Sequence, residues 1–326
     1  MSTFISVVIP TYRRPQLLRR CMNALDRQRF PKDSFEVIIV SDGKDAETAN
    51  LIQELGRFYQ DLQIRYFELP EKKGPAAARN FGWKQADGEL IAFTDDDCIP
   101  SPLWLKQYWE AFRAQEKIII SFTGKVIVPV PEFPTDYQKN VSHLETADFI
   151  TANCACSQAA LIFVHGFDEE FPIAWREDSA FEFDLLEHNV PIIKIEQAEV
   201  THPVRDAHWG VSIQDQKKSM FNALLFKKHP DFYRKKISSH PVWNYYAIIF
   251  FSLLGMMLFV FGNKTMALIS LVIWLLLVAK FIYNRLNGTN MSVSHRLEMI
   301  VTSFLIPYLS VYWTIRGAIR YKVFFL

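Results

Sequence analysis

LIAFTDDDCIP, residues 90–100, runs four apolar or aromatic side chains into Thr94, then sets Asp95, Asp96 and Asp97 in a row before Cys98, Ile99 and Pro100. Three like charges at the end of a strand that reads as buried repel one another unless something positive answers them. Asp also suits turns and helix N-termini, so the triplet alone is open to a purely structural reading.

Upstream, FISVVIP (4–10) and FEVIIVSDG (35–43) are short β-branched runs closed by Pro or Gly, the pattern of strands buried on both faces of a parallel sheet. Between them Leu17, Leu18, Cys21, Met22 and Leu25 recur at helical spacing, and Leu51, Ile52, Leu55, Phe58 and Tyr59 repeat the pattern after Asp42-Gly43. A third strand, QIRYFEL (63–69), a helix opening at Gly74-Pro75 and the strand LIAFT continue the series. The fold class is therefore α/β, a Rossmann-like, mostly parallel sheet with helices on both faces. In such sheets ligands collect at the carboxyl ends of strands, which brings Pro10 to Tyr12, Asp42 and Asp95 to Asp97 to one rim.

The usual phosphate cradles are missing: no GxGxxG follows the first strand, and GxxxxGK[ST] occurs nowhere. This argues against a dinucleotide oxidoreductase and a P-loop NTPase. A carboxylate rim can instead hold a divalent cation, the ordinary partner of a diphosphate. Lys+Arg number 36 against 35 Asp+Glu, a formal charge of +1, so the chain lacks the basic footprint of a nucleic-acid binder. Cys21, Cys98, Cys154 and Cys156 form neither a disulfide framework nor CxxC pairs, which suits reduced thiols facing the cytosol. The apolar run Phe4 to Pro10 is too short for a signal peptide.

Four segments, VVIPTYRRPQLLRRCMNAL (7–25), EVIIVSDGKDAET (36–48), KKGPAAARNFGWKQADGELIAFTDDDCIP (72–100) and GFDEEFPIAWREDSAFEFDLLEHN (166–189), together resemble the inverting family 2 glycosyltransferases of GT-A fold. The resemblance covers roughly residues 4–205 in the family's order and spacing. It implies a nucleotide-sugar donor bordered by Pro10, Thr11, Tyr12 and Arg13, with Asp42 reading base or ribose and Gly74, Arg79 and Asn80 near nucleotide and diphosphate. It makes TDDDC the DxD motif, with Asp95 and Asp97 as the pair holding Mg²⁺ or Mn²⁺ and Asp96 beside the ribose. It makes Glu177-Asp178 the ED motif, with Asp178 the base, and makes His202 and Arg205 donor-site members where a residue completes the metal site or holds the diphosphate. Asn153, Trp175 and Arg176 are implied on the acceptor side.

Each assignment has a plainer counterpart. Ala76 to Ala78 suit tight helix-to-sheet packing, Glu177 and Asp178 suit a helix first turn, and a lone His is commonly a hydrogen-bonded core residue. Arg79 is harder to explain that way, because an unpaired buried guanidinium is costly. The QxxRW box of processive polymer synthases is absent, which points to addition of one sugar.

Three regions are expected: a GT-A domain over 1–225, a basic juxtamembrane segment over 226–242, and a membrane region over 243–326. WNYYAIIFFSLLGMMLFVFG (243–262) carries no charge and has the length of a spanning helix; residues 265–283 make a second. Residues 299–315, interrupted by Pro307, read as spanning, re-entrant or interfacial. Lys227, Lys228, Arg234, Lys235 and Lys236 precede the first helix, which puts the N-terminal domain on the cytoplasmic side of a cell membrane. The partners expected are a nucleotide diphosphate-sugar, a lipid-linked or glycan acceptor and the membrane, with no nucleic acid. The reading is a membrane-anchored inverting transferase that moves one sugar to a hydroxyl. The alternatives are transfer to a polyprenyl phosphate, a sugar nucleotidyltransferase, or a non-catalytic membrane scaffold.

Overall fold

The computed structural model describes residues 3–324. In chain order it runs β1 (Ile5–Thr11), α1 (Pro15–Asp26), β2 (Phe35–Ser41), α2 (Ala46–Phe58), β3 (Gln63–Glu68), α3 (Pro75–Lys84), β4 (Leu90–Phe93), β5 (Ile99–Pro100), α4 (Trp104–Arg113) and β6 (Ser121–Ile127). There follow α5 (Asp136–Ser142), β7 (Cys154–Ser157), α6 (Gln158–Phe163), α7 (Glu177–Glu187), β8 (Ile192–Thr201), α8 (Val211–Asp215), α9 (Met220–Lys228) and α10 (Pro230–Phe232). Three long helices close the chain: α11 (Trp243–Val260), α12 (Lys264–Leu286) and α13 (Val293–Tyr321). The contacts divide it into two compact units. One is the chain up to Pro129 with His143–Pro203, and the other is Val130–Ser142 with the chain from Val204 onward. On this division α8 and α9 group with the C-terminal helices.

In the first unit the strands form one sheet in the order β3-β2-β1-β4-β7-β6-β8-β5. Every residue of β1, β2 and β4 is buried, as their largely apolar runs require, with Ser6 donating to Glu36 at 2.7 Å between β1 and β2, whereas β3 at the edge is half exposed. β1, β2, β3 and β4 are mutually parallel, and Thr11 lies beside Ser41 and Ser41 beside Glu68, so their carboxyl ends line up. The strand order reverses at β1 and β4, which opens the crevice above Tyr12, Asp42 and Asp95. β7 enters antiparallel between β4 and β6, so the far half of the sheet is mixed.

Small residues set the fit of α3 on this sheet. A Cβ on Gly82 would lie 2.5 Å from Val8 Cγ1, and Ala76 to Ala78 are buried against the same face. Behind α7, Phe167 stacks on Phe181 with centroids 4.2 Å apart, and Phe93 meets Phe167 edge-on at 5.1 Å. These rings fix the start of α7 over the end of β4 through apolar burial of about 1.5–3 kcal/mol per ring.

β5 is only two residues long, yet it governs the site. Ile99 pairs with Thr201 and Pro100 with Val200 of β8, antiparallel. The residues flanking this short ladder, Asp97 before β5 and His202 after β8, are thereby brought together.

In the second unit α11 and α12 form a hairpin and are exposed and apolar along most of their length. α5 joins this unit through Arg285, which pairs with Asp136 at 2.8 Å and donates to Thr302 Oγ1 and Ser303 Oγ. α11, α12 and α13 are each long and apolar enough to cross a membrane. α13 also packs lengthwise along α8, the 3-10 turn Gln216–Ser219 and α9. The Gly210 amide donates to Glu298 at 2.7 Å, and a Cβ on Gly317 would lie 2.4 Å from the Met220 carbonyl oxygen.

Candidate active site

At the rim, Thr11 ends β1 and Pro10 lies inside it, while Tyr12 and Arg13 begin the loop to α1. Tyr12 presents its ring to Lys72 Nζ at 4.4 Å and to the Arg13 guanidinium at 5.1 Å, a cationic border at the crevice. Arg13 has φ +53°, and its amide donates to Asp45 Oδ2 at 2.6 Å. Asp42 is buried, and its carboxylate accepts from the amides of Lys73 at 2.6 Å and Gly74 at 2.9 Å. Gly74 has φ +100°, and a Cβ there would lie 2.4 Å from the Pro172 carbonyl oxygen, so only glycine fits.

The three aspartates have three different partners. Asp95 accepts from Arg79 Nη2 at 2.7 Å. Asp96 accepts from Thr11 Oγ1 at 2.8 Å and faces Arg14 Nη1 at 3.4 Å; burial pushes its carboxyl up to about 6, against the pull of Arg14. Asp97 Oδ1 lies 3.7 Å from His202 Nε2 and 3.9 Å from Cys98 Sγ.

The second carboxylate cluster opens α7. Arg176, just before it, has φ +74°, and its guanidinium sits 4.8 Å from the Trp175 ring centroid. A non-glycine residue held in this region costs about 1–3 kcal/mol, a strain that tends to collect at functional sites. Glu177 is buried and faces Arg79 Nη1 at 3.5 Å; burial, then the adjacent Asp178, push its carboxyl well above the ordinary value. Asp178 is half-buried and accepts from the Ser179 amide at 2.6 Å. Arg79, itself 2% exposed, thus joins the DDD strand end to the ED helix, and these two carboxylates outweigh burial in holding its charge.

Several sequence expectations are corrected here. Asn80 does not face a ligand: its amide donates to the Phe167 carbonyl and Glu169, and its oxygen accepts from Trp83 and the Phe167 amide. Asn153 is fully buried, donating to the carbonyls of Lys125 and Ala198 and accepting from Trp104 and Tyr108, so its polar atoms are consumed inside the fold. Of the expected Asp95–Asp97 pair, Asp95 gives one oxygen to the Arg79 guanidinium, while Asp97 Oδ1 faces His202. Arg14 and Lys72 were missed; both stand in basic pairs, Arg13-Arg14 and Lys72-Lys73, that flank the two rim loops.

Among the described residues Asp97, Cys98 and His202 bring ligand atoms within 4.8 Å of one another, and all three are buried. Cys98 offers a soft sulfur, a poor match for a hard cation that takes oxygen ligands. A carboxylate and an imidazole remain, and His202 Nδ1 is buried without a hydrogen-bond partner. This donor set fits a divalent cation that keeps oxygen ligands from a diphosphate or water.

The sequence profile of glycosyl transferase family 2 matches residues 6–169, half of the chain. The chain belongs to glycosyl transferase family 2. It has GT-A architecture, and its C-terminal helices are long and apolar enough to span a membrane. Glycosyltransferase AglE of Haloferax volcanii is 36% identical over 104 residues, 32% of this chain and 34% of that protein. Validoxylamine A glucosyltransferase of Streptomyces hygroscopicus subsp. limoneus is 28% identical over 73% of this chain and 57% of its own. The chain thus spans between about a third and three fifths of these curated relatives. Among solved structures, mannosyltransferase PcManGT of Pyrobaculum calidifontis, in complex with GDP-Man and Mn²⁺, superposes with a TM-score of 0.61 at 15% identity. That match covers 97% of this chain and 88% of the other. TarS of S. aureus, residues 1–349, in complex with UDP-GlcNAc, gives a TM-score of 0.51 at 18% identity, covering 99% and 93%.

Proposed function

We propose that this chain transfers one sugar, with inversion, from a nucleotide diphosphate-sugar to a hydroxyl of a lipid-linked or glycan acceptor at a membrane surface. The observation that carries this reading is the joining of the two carboxylate clusters through buried Arg79 at the carboxyl end of the sheet. The donor class is supported by the GDP-Man and UDP-GlcNAc held by the two structural relatives.

In this mechanism Asp42, Tyr12, Lys72 and Arg13 border the nucleotide. Asp97 and His202 would hold the cation, Mg²⁺ or Mn²⁺, which would supply a counter-charge for the departing diphosphate. Asp178 accepts the proton of the acceptor hydroxyl as that oxygen forms its bond to the anomeric carbon and the bond from that carbon to the diphosphate oxygen breaks. Asp178 suits this task because it is the half-buried member of the ED pair. Glu177 and Arg79 hold the start of α7 against Asp95, so that base and leaving group keep their spacing.

The basic residues before α11 support a catalytic domain on the cytoplasmic side of a cell membrane, where α11 and α12 span as a hairpin. α13 is read as interfacial. From Glu298 to Gly317 it extends about 28 Å beside Gly210–Met220, so a spanning α13 would draw Asp215, Lys217 and Lys218 into hydrocarbon. Its outward face carries Leu297, Val301, Leu305, Tyr312, Ile315 and Ile319, an apolar stripe that can rest in the headgroup boundary.

The test is product analysis with the full chain in detergent, a nucleotide-sugar panel and glycan or lipid-linked acceptors. One added sugar of inverted anomeric configuration is expected. A ladder of products or a retained configuration would overturn the reading.

A further inference from the structure

At the foot of α11 the second unit holds a cleft of about 90 Å³, several times the roughly 10–15 Å³ that one water needs. Ser219, Asn222, Arg234, Tyr246, Ser310 and Thr314 give it a lining of hydroxyls, an amide and one guanidinium, and no carboxylate is among the described residues that line it. Arg234 sits on the π-helical turn Tyr233–Ile237 with its guanidinium 4.7 Å from the Phe226 centroid, a stack that sets the plane of the fork. Tyr233, buried beneath, meets the same ring edge-on at 5.6 Å and fixes the turn.

Three observations set the depth and sign of what this cleft meets. It opens within one turn of Trp243, the exposed first residue of α11, an amphipathic ring suited to the headgroup level. Its far wall is α13, the helix read above as lying in the interface. Lys235 and Lys236 follow Arg234 directly and are exposed, so the approach is positive.

We propose that this cleft seats the phosphate of a membrane lipid headgroup, held by the Arg234 fork and the surrounding hydroxyls. A phosphate offers several acceptor oxygens to a planar guanidinium and to O–H and N–H donors, which suits a half-polar lining in which no described residue carries a carboxylate. The site would fix the depth of the juxtamembrane turn against the first spanning helix. The proposal rests on the membrane reading of α11 and α12.

The experiment uses the full chain in nanodiscs of phosphatidylcholine alone, with phosphatidylglycerol, or with a polyprenyl phosphate, with bound lipids counted by native mass spectrometry. Insertion into the nanodiscs tests the membrane reading by itself; headgroup retention tests the cleft. One saturable phosphate-bearing anionic lipid per chain is expected, and the arm that saturates identifies its source. Arg234→Lys, which keeps the charge and loses the fork, and Ser310→Leu, which fills the cleft without altering charge, should each weaken retention about tenfold. Unchanged retention in both variants would reduce the binding to diffuse surface attraction and overturn the proposal. So would equal competition by free inorganic phosphate, which would show that no lipid is required.

Discussion

Arg79 Nη2 donates to Asp95 Oδ1 at 2.7 Å from a position that is 2% exposed, while Nη1 of the same guanidinium faces Glu177 98 residues further along the chain. One side chain of α3 thereby holds together the end of β4 and the start of α7, the two segments that carry the acidic chemistry.

Replacing Arg79 with Leu leaves Asp95 without its cation and removes the link to Glu177. Removing one partner of a fully buried ion pair costs about 3–5 kcal/mol; Asp95 is partly exposed, so denaturant titration should show a smaller loss. Arg79→Lys should retain part of the stability, yet lower turnover, because a point charge cannot serve both carboxylates as the fork does.

Asp178→Asn should lower kcat by roughly 10²–10⁴ with little change in thermal midpoint, since Asp178 is half-buried and its oxygen bonds only locally. The acceptor decides whether this holds. A lipid phosphate oxygen is already anionic and needs no base, so loss of activity in Asp97→Asn but not in Asp178→Asn would rule out the hydroxyl acceptor.

The pH dependence of stability carries the mark of Glu177. Burial and Asp178 raise its folded pKa above the ordinary 4.5, so between these two values the native state binds more protons than the unfolded chain. Stability from this group is therefore greatest below about 4.5 and declines as pH rises toward the raised value. Glu177→Gln should flatten that slope in a urea series taken from pH 5 to 8.

Much of this was legible in the sequence because burial on both faces leaves largely apolar runs, and β1, β2 and β4 have them. The rim followed from the topology, and the DDD and ED clusters from their positions in the chain. Strand direction leaves no such trace, so the antiparallel entry of β7 was not readable. His202 reaches Asp97 through two residue pairs of β5 and β8, too short a ladder to signal itself. Asn80 and Asn153 read as site residues because a polar side chain looks alike in sequence whether it bonds a ligand or a buried backbone carbonyl. α5 joins the C-terminal helices through the Arg285–Asp136 pair, which spans 149 positions.

Gly74→Ala should weaken donor binding more than it slows turnover. The strain at φ +100° and the approach to Pro172 would displace the amides of Lys73 and Gly74 from Asp42. Destabilisation of about 1–3 kcal/mol is expected, together with a higher KM for the donor, measured by steady-state kinetics beside calorimetry.

The most direct measurement is release of nucleoside diphosphate by the detergent-purified full chain across a panel of nucleotide-sugars, with and without Mn²⁺ or Mg²⁺ and with candidate lipid acceptors. The account predicts metal-dependent release with one donor class, abolished in Asp97→Asn. Absence of release with every donor, or undiminished release without divalent metal, would contradict it.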